Sequence, residues 1–340
     1  MQAINALNKN SMGKIMAVWK CLAVVAILLA APFGSAPLRA DDYPSHPIKL
    51  IVPYAPGGAA DAVARIVAKH VSETIGQPMV VENRPGAGSI IGTEDVHKAE
   101  PDGYTLLLGQ SGPISINPGI YKELPYDPEK DFAPITMTTA YAYVLVVNAK
   151  LPVKTLQDFV AMVKAKPGEF NYGTTGVGAS NHLITELFSS RAGLKMIHVP
   201  YRGTALAVTD LLAGQVTMVF ADPISAMPHV RSVALRALAG TTKDRSPVAP
   251  DVPTIAESGY PGFDAIGWHG ILAPAHTPAP IVAKLHDRIV AALKDPGTKA
   301  LLDEQAMTIV GDSPQEFGAF IKQDIALWRD VATRANVSVK

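Results

Sequence analysis

Two glycine-rich stretches carry the residues of this chain whose types and spacing could do chemistry. The first is Leu50-Ile51-Val52-Pro53-Tyr54-Ala55-Pro56-Gly57-Gly58-Ala59-Ala60-Asp61, and the second runs Phe170-Asn171-Tyr172-Gly173-Thr174-Thr175-Gly176-Val177-Gly178-Ala179-Ser180-Asn181-His182-Leu183. In the first, apolar and partly β-branched residues suit a buried strand, Pro56, Gly57 and Gly58 make a turn, and Ala62, Val63, Ile66, Val67 and His70 recur at helical spacing. A strand that delivers a glycine turn onto a helix start leaves backbone N–H groups without intrahelical partners, pointing into a crevice, which suits an anion. The second stretch repeats the device and adds the hydroxyls of Thr174, Thr175 and Ser180. The chemistry this predicts is capture of a small carboxylate between two facing loops.

Bond-making chemistry finds no matching pattern. The chain lacks His-Glu-x-x-His, and its histidines do not cluster with acids at metal-ligand spacing. Ser111 and Ser180 lack the Gly-x-Ser-x-Gly elbow of a nucleophilic serine. There is no Gly-x-x-x-x-Gly-Lys phosphate loop, and Gly57-Gly58 is not a dinucleotide fingerprint. The expectation is a protein that is not an enzyme and has neither cofactor nor metal.

Other side chains admit two readings. Asp61 on the first helical turn is a structural charge at a helix N-terminus, with Arg65 placed to pair with it at i,i+4, or a residue beside the ligand. Ser111 follows a strand and is a donor to an anion or a turn serine. His182 at a helix start is a ligand contact or a capping histidine. Asp222 ends a strand and either holds an amine of the ligand or fixes a loop. Tyr54, Tyr201 and Trp268 are candidate pocket walls, with Trp268 equally suited to packing at a hinge. Arg84 and Arg202 follow strands and read preferentially as surface residues.

These residues need a framework, and the periodicity supplies one. Ile48 to Pro53, Met79 to Glu82 and Tyr104 to Gly109 read as strands, alternating with helices from Ala62 to about Ile75 and from Ile90 to Ala99. That alternation predicts an α/β unit with a mainly parallel sheet, whose ligands sit beyond the strands' carboxyl ends. Tyr141 to Val147 reads as a strand crossing into a second unit. There, a helix opened by Thr155 and Asp158, helices at 181–192 and 205–213, and strands at 196–201, 216–222 and 235–239 repeat the build. Phe263 to Ala273 crosses back, and helices at 280–293, 299–305 and from Ser313 onward clad the first unit. The predicted organisation is a first lobe of 41–142 plus 262–340 and a second lobe of 143–261.

The first 40 residues contain Lys9, Lys14, Lys20 and Arg39, no acid, and an apolar run from Cys21 to Ala31. This pattern predicts a secretory signal peptide, cleaved after Ala40 or after Ala36, with an apolar core too short to span a membrane. Removal at 40 takes away the single cysteine, so disulfides and cysteine metal sites are excluded from the mature chain. Thirty basic and thirty acidic residues become 26 and 30. That balance offers no polybasic footprint for nucleic acid or anionic lipid.

Taken in order, a set of short motifs resembles the solute receptors of tripartite tricarboxylate transporters, the Bug or TctC-like extracytoplasmic binding proteins. They are Ile51 to Gly58 with Asp61 and Arg65, Asn83-Arg84-Pro85-Gly86-Ala87-Gly88, Pro101-Asp102-Gly103-Tyr104-Thr105-Leu106, Ile116-Asn117-Pro118 through Leu124-Pro125-Tyr126-Asp127-Pro128, Asn171-Tyr172-Gly173, Ser180 with His182-Leu183, His198-Val199-Pro200-Tyr201-Arg202-Gly203 and Pro253-Thr254-Ile255-Ala256-Glu257. The resemblance spans residues 43–332. It implies a periplasmic clamshell of the type II binding-protein class, two α/β lobes joined by a two-strand hinge. It also implies a monomer that hands a small carboxylate to one large and one small integral membrane subunit. A ligand sensor for a signalling partner would use the same clamshell. The first-lobe clamp implied is Tyr54, Pro56, Gly57, Gly58, Ala59, Ala60 and Asp61, and the second-lobe clamp Thr174, Thr175, Gly178, Ser180 and His182. Ala60 departs from the Thr, Asn or Ser usual in the family before that acid, and Ser89-Ile90 replaces Gly-Asn after Gly88. The expectation is a less polar first-lobe wall and either a ligand with an apolar or aromatic portion or a second ligand group placed differently.

Overall fold

The computed structural model describes residues 43–339 apart from 248; the expected signal peptide therefore lies outside the described residues. The first lobe begins with β1 (Ile48–Val52), α1 (Ala59–Ile75), β2 (Met79–Asn83), α2 (Ile90–His97) and β3 (Thr105–Gln110). A wide π-helical turn, Ser111–Ile116, leads into the short α3 (Asn117–Ile120), and β4 (Phe132–Ala142) runs to the edge of the lobe. The second lobe holds β5 (Val144–Asn148), α4 (Leu156–Ala165), β6 (Asn171–Thr174), α5 (Ser180–Ala192), β7 (Ile197–Pro200), α6 (Thr204–Ala213), β8 (Met218–Ala221), α7 (Pro223–Arg231) and β9 (Leu235–Gly240). The chain then returns through β10 (Ile266–Pro274), α8 (Ala279–Lys294), α9 (Pro296–Glu304), β11 (Thr308–Ile309) and α10 (Pro314–Arg334).

The sheets are ordered β11-β4-β10-β3-β1-β2 and β7-β6-β8-β5-β9. Each is mixed, where the strand–helix alternation predicts a mainly parallel sheet. β1 pairs parallel with β2 and β3, but the returning β10 inserts antiparallel between β3 and β4. In the second lobe β5 enters antiparallel between β8 and β9, while β6 pairs parallel with β7 and β8. In each sheet the strand that arrives from the other lobe is reversed; in the first lobe the short edge strand β11, antiparallel to β4, is reversed as well. The result is two α/β lobes of the type II clamshell kind.

Local chemistry sets the helix ends. Thr155 and Ser313 each form a capping box, with Asp158 and Glu316 respectively, so both of these helix starts are where the sequence places them. The strand read over Tyr141 to Val147 divides at Tyr143 into the end of β4 and the start of β5. Most of β4 lies before the strand read from the sequence: Pro134 argues against a strand there, although Ile135, Thr136, Thr138 and Thr139 are β-branched and favour one. Pro134 is accommodated beside a register shift between Ile271 and Leu272 on β10, where the ladder is already interrupted.

At the hinge Thr241 ties both crossings together. Its N–H donates to the Tyr143 carbonyl at 3.0 Å, and its Oγ1 accepts from the Tyr143 N–H at 3.0 Å and donates to the Ala265 carbonyl at 2.6 Å. The Ala265 N–H returns to the Thr241 carbonyl at 2.9 Å. A buried threonine with both functions used holds the crossings in register at low conformational cost. The first-lobe core forms around Trp268, Phe317, Ile321 and Ile325, where α10 packs on β10, and the second around Val146, Leu211 and Val219.

Candidate functional site

Between the glycine loops lies a cleft of about 480 Å³, within the range of small-molecule sites. It is lined from the first lobe by Tyr54, Gly58, Ala59 and Ala60, and from the second by Thr175, Gly178, Ser180 and Asp222, together with residues discussed below. Four of the helix starts around it share a feature. α1, α2, α5 and α6 begin at Gly58, Ser89, Ala179 and Gly203, and none of the four has a side-chain cap. Each puts at least one residue of its first turn or cap on the cleft wall. Away from the cleft α4, α9 and α10 are capped by Thr155, Asp295 and Ser313 while α8 is uncapped, and on the cleft itself α7 is capped by Asp222. Helix starts with no side-chain cap leave first-turn N–H groups and the positive end of the helix dipole available to a bound anion.

On the first-lobe loop Asp61 faces away from the cleft. Its carboxylate accepts from the Gly57 N–H at 2.9 Å and from Asn83 Nδ2 at 3.0 Å, and pairs with Arg65 at 2.9 Å. Burial opposes the charge, yet Arg65, the Gly57 amide and Asn83 outweigh it and hold the carboxyl below its usual range. Asp61 is therefore a strut that fixes the turn, and the cleft is spared its charge. Pro56 and Gly57 shape the turn without lining the cleft. Tyr54 does line it; burial raises its hydroxyl pKa, against an opposing hydrogen bond from Ser89.

The second-lobe loop is held from behind. Thr174 is fully buried and its Oγ1 meets His198 Nε2 at 2.6 Å while accepting from the Gly176 N–H at 3.2 Å. Asn181 Oδ1 accepts from both the backbone N–H and the hydroxyl of Thr175, each at 3.1 Å. His182 Nδ1 accepts the Gly178 N–H at 3.0 Å, and its ring stacks on His198 with centroids 4.0 Å apart. Of the predicted second-loop residues, Thr175, Gly178 and Ser180 reach the cleft, while Thr174 and His182 stand behind and position it.

The imidazoles carry a pH dependence. Burial, and next the neighbouring His198, push His182 down to about 4 from 6.5, and burial lowers His198 as well. Both rings are neutral in the folded state at neutral pH, and protonating His182 Nδ1 removes the acceptor for Gly178. A lowered base pKa means the unfolded chain takes up protons first as pH falls. The stability these rings supply is therefore complete above about 6.5 and is lost as pH falls from there towards about 4. Urea midpoints measured at neutral pH and at about pH 4.5 should fall further in the unaltered protein than in His182→Asn; equal losses would remove His182 from this account.

The hinge side of the cleft was not legible as a site. Tyr141 and Tyr143 line it with their hydroxyls 3.3 Å apart, both with pKa values raised above the ordinary tyrosine range, chiefly by burial and also by the charge of Asp222. Ser180 acts against that rise at Tyr143. The Tyr141 ring lies across β10 because Gly267 opposes it: a Cβ there would come within 2.2 Å of Tyr141 Cζ. Gln110, Asn117 and Tyr121 also line the cleft. Gln110 is the last residue of β3, so the rule that ligands sit beyond strand ends pointed one position too far, to Ser111. The Ser111 hydroxyl is buried, off the cleft, with no hydrogen-bond partner among the described residues. Arg202, read as a surface residue, is exposed and lines the cleft. Tyr201 lies off the cleft and donates to Asp210 at 2.7 Å. Trp268 is a core residue of the first lobe and not a wall, since the side chain faces α10.

Comparison with known proteins finds a family and several solved structures of the same fold. The family described as the tripartite tricarboxylate transporter family receptor, TctC, matches residues 63–337. Protein BugT of Bordetella pertussis is 38% identical over 326 residues, which is 96% of this chain and 100% of that protein. An R. palustris protein solved with adipate superposes with a TM-score of 0.80 at 34% identity, over 87% of this chain and 99% of the other. MatC from Rhodopseudomonas palustris with bound malate gives 0.76 at 32% identity, over 85% and 99%.

Proposed function

This chain belongs to the TctC family of tripartite tricarboxylate transporter receptors, and we propose that it captures a small carboxylate in the periplasm and delivers it to the large and small membrane subunits of such a transporter. The observation that carries the reading is the convergence of helix starts without side-chain caps, α1 and α2 from one lobe and α5 and α6 from the other, on a single cleft. A carboxylate held there takes N–H donors from both lobes, and the Ser180 hydroxyl adds to them, while the Thr175 hydroxyl, donated to Asn181, fixes the loop. The same hydrogen bonds strengthen as closure expels water. Related proteins solved with adipate and with malate support a carboxylate as the ligand class. Ala60 on the first-lobe wall favours a ligand with an apolar portion.

A thermal-shift screen of refolded, ligand-stripped protein tests the proposal. The panel spans aliphatic di- and tricarboxylates, acidic amino acids, nicotinate and aromatic acids. A ligand at 100 times its dissociation constant adds about 2.7 kcal/mol of apparent stability. Response to an aromatic acid but not citrate supports the apolar-wall reading, and response only to small acyclic acids rejects it. Silence across the panel removes the carboxylate. With a ligand in hand, Ser180→Ala should weaken binding by about 1–3 kcal/mol in calorimetry. An unchanged dissociation constant would take Ser180 out of the clamp.

A further inference from the structure

The charges on the cleft wall have a pattern that a plain carboxylate does not match. Among the described residues lining it, the charged side chains are Arg202 and Asp222. Asp61, the other acid of the loops, is turned away and neutralised by Arg65. Asp222 ends β8 and caps α7, accepting from the Ser225 N–H at 2.9 Å and from its hydroxyl at 3.0 Å. Capping needs only an oxygen acceptor, and serine, threonine or asparagine serves as well. The negative charge is therefore favoured by the α7 N-terminus but not required by the cap. It makes no ion pair with a described residue, and its field is felt by the buried hydroxyls of Tyr141 and Tyr143. One wall of the cleft thus attracts an anion, through the N-termini of α1, α5 and α6 and through Arg202. The Asp222 corner attracts a cation.

We infer that Asp222 selects the ligand by an ammonium group: the solute is a carboxylate that also carries a protonated amine. The inference rests on the carboxylate-capture reading and narrows it. The carboxylate sits on the helix starts and the ammonium faces Asp222, with Tyr141 and Tyr143 flanking. A carboxylate without the amine leaves the Asp222 charge unpaired in a site closing against water, which penalises it relative to the amino compound.

The test is calorimetry with matched pairs that share a carbon skeleton and differ in one substituent. One series is L-aspartate, L-malate and succinate; longer aliphatic and aromatic amino acids are each paired with their deamino and hydroxy analogues. The unaltered protein should bind the ammonium member of at least one series ten-fold or more tighter than both partners. In Asp222→Asn, which keeps the cap, that ratio should fall to near one. Ser225→Ala removes a contact to the carboxylate and leaves its charge, so the ratio should persist there even if the protein is less stable. Equal or tighter binding of the deamino or hydroxy member to the unaltered protein overturns the inference and leaves carboxylate capture standing. So does a ratio that Asp222→Asn leaves intact. Absence of binding in every series overturns both.

Discussion

Trp268→Ala is expected to lower the unfolding free energy by about 3–5 kcal/mol, the range for removing a large aromatic from a packed core. Trp268 is 1% exposed, and its ring meets Phe317 edge-on with centroids 5.4 Å apart and Phe320 at 5.9 Å. Its Nε1–H donates to Asp324 Oδ2 at 2.9 Å. Asp324 is itself buried, with a pKa raised by that burial against the opposing hydrogen bond from Trp268. Alanine therefore leaves a cavity between β10 and α10 and withdraws a donor from a buried carboxyl group. Trp268→Phe separates the two effects, since it retains most of the volume and loses only the donor. Denaturant midpoints at neutral pH should order the proteins unaltered, then Phe, then Ala. Because the side chain lies in the core, ligand affinity measured well below the melting transition should be little changed in the Phe variant. A large affinity loss there, with stability intact, would return Trp268 to the pocket wall.

Gly178→Ala should produce the largest loss of ligand affinity of any single substitution in the second loop, about 10- to 100-fold. Gly178 has φ +77, where a side chain is strained, and a Cβ built on it would stand 2.2 Å from Ile120 Cδ1 and 4.0 Å from Val339 Cγ2. Ile120 ends α3 in the first lobe and is backed by Val339, whose N–H donates to the Ile120 carbonyl at 2.8 Å. The two lobes therefore touch at the missing side chain of residue 178, and an added methyl group there must push them apart. Overpacking of this kind costs roughly 1–3 kcal/mol, borne by any arrangement in which the lobes meet at this point. The paired variant Gly178→Ala with Ile120→Ala provides the discriminating measurement. If the lobes' contact is the cause, trimming Ile120 recovers much of the affinity. If backbone strain at 178 is the whole cause, it recovers none.

The fold was legible wherever one local signal sufficed. The glycine turns, the capping boxes at Thr155 and Ser313 and the helical periodicity after Asp61 are each fixed by a few adjacent residues, and the structure has them where they were read. So too were the two lobes, since each repeats the same strand–turn–helix device, and the loop residues Gly58 to Ala60, Thr175, Gly178 and Ser180 reach the cleft they were expected to share. What the residues by themselves determined, then, is that helix starts rich in glycine and poor in side-chain caps would present bare amides to an anion. Tertiary structure alone decided which side chains join them. Tyr141, Tyr143 and Gln110 come to the cleft because β10 and β5 each cross between lobes and insert antiparallel, bringing strands distant in sequence to one hinge. Thr174 and His182 withdraw because a loop of closely spaced glycines needs buried acceptors behind it, and Trp268 withdraws because α10 needs a partner on β10. Side-chain direction at those positions depends on packing between separate elements, 24 residues apart for Thr174 and His198 and 56 for Trp268 and Asp324, and short-range pattern holds no record of it.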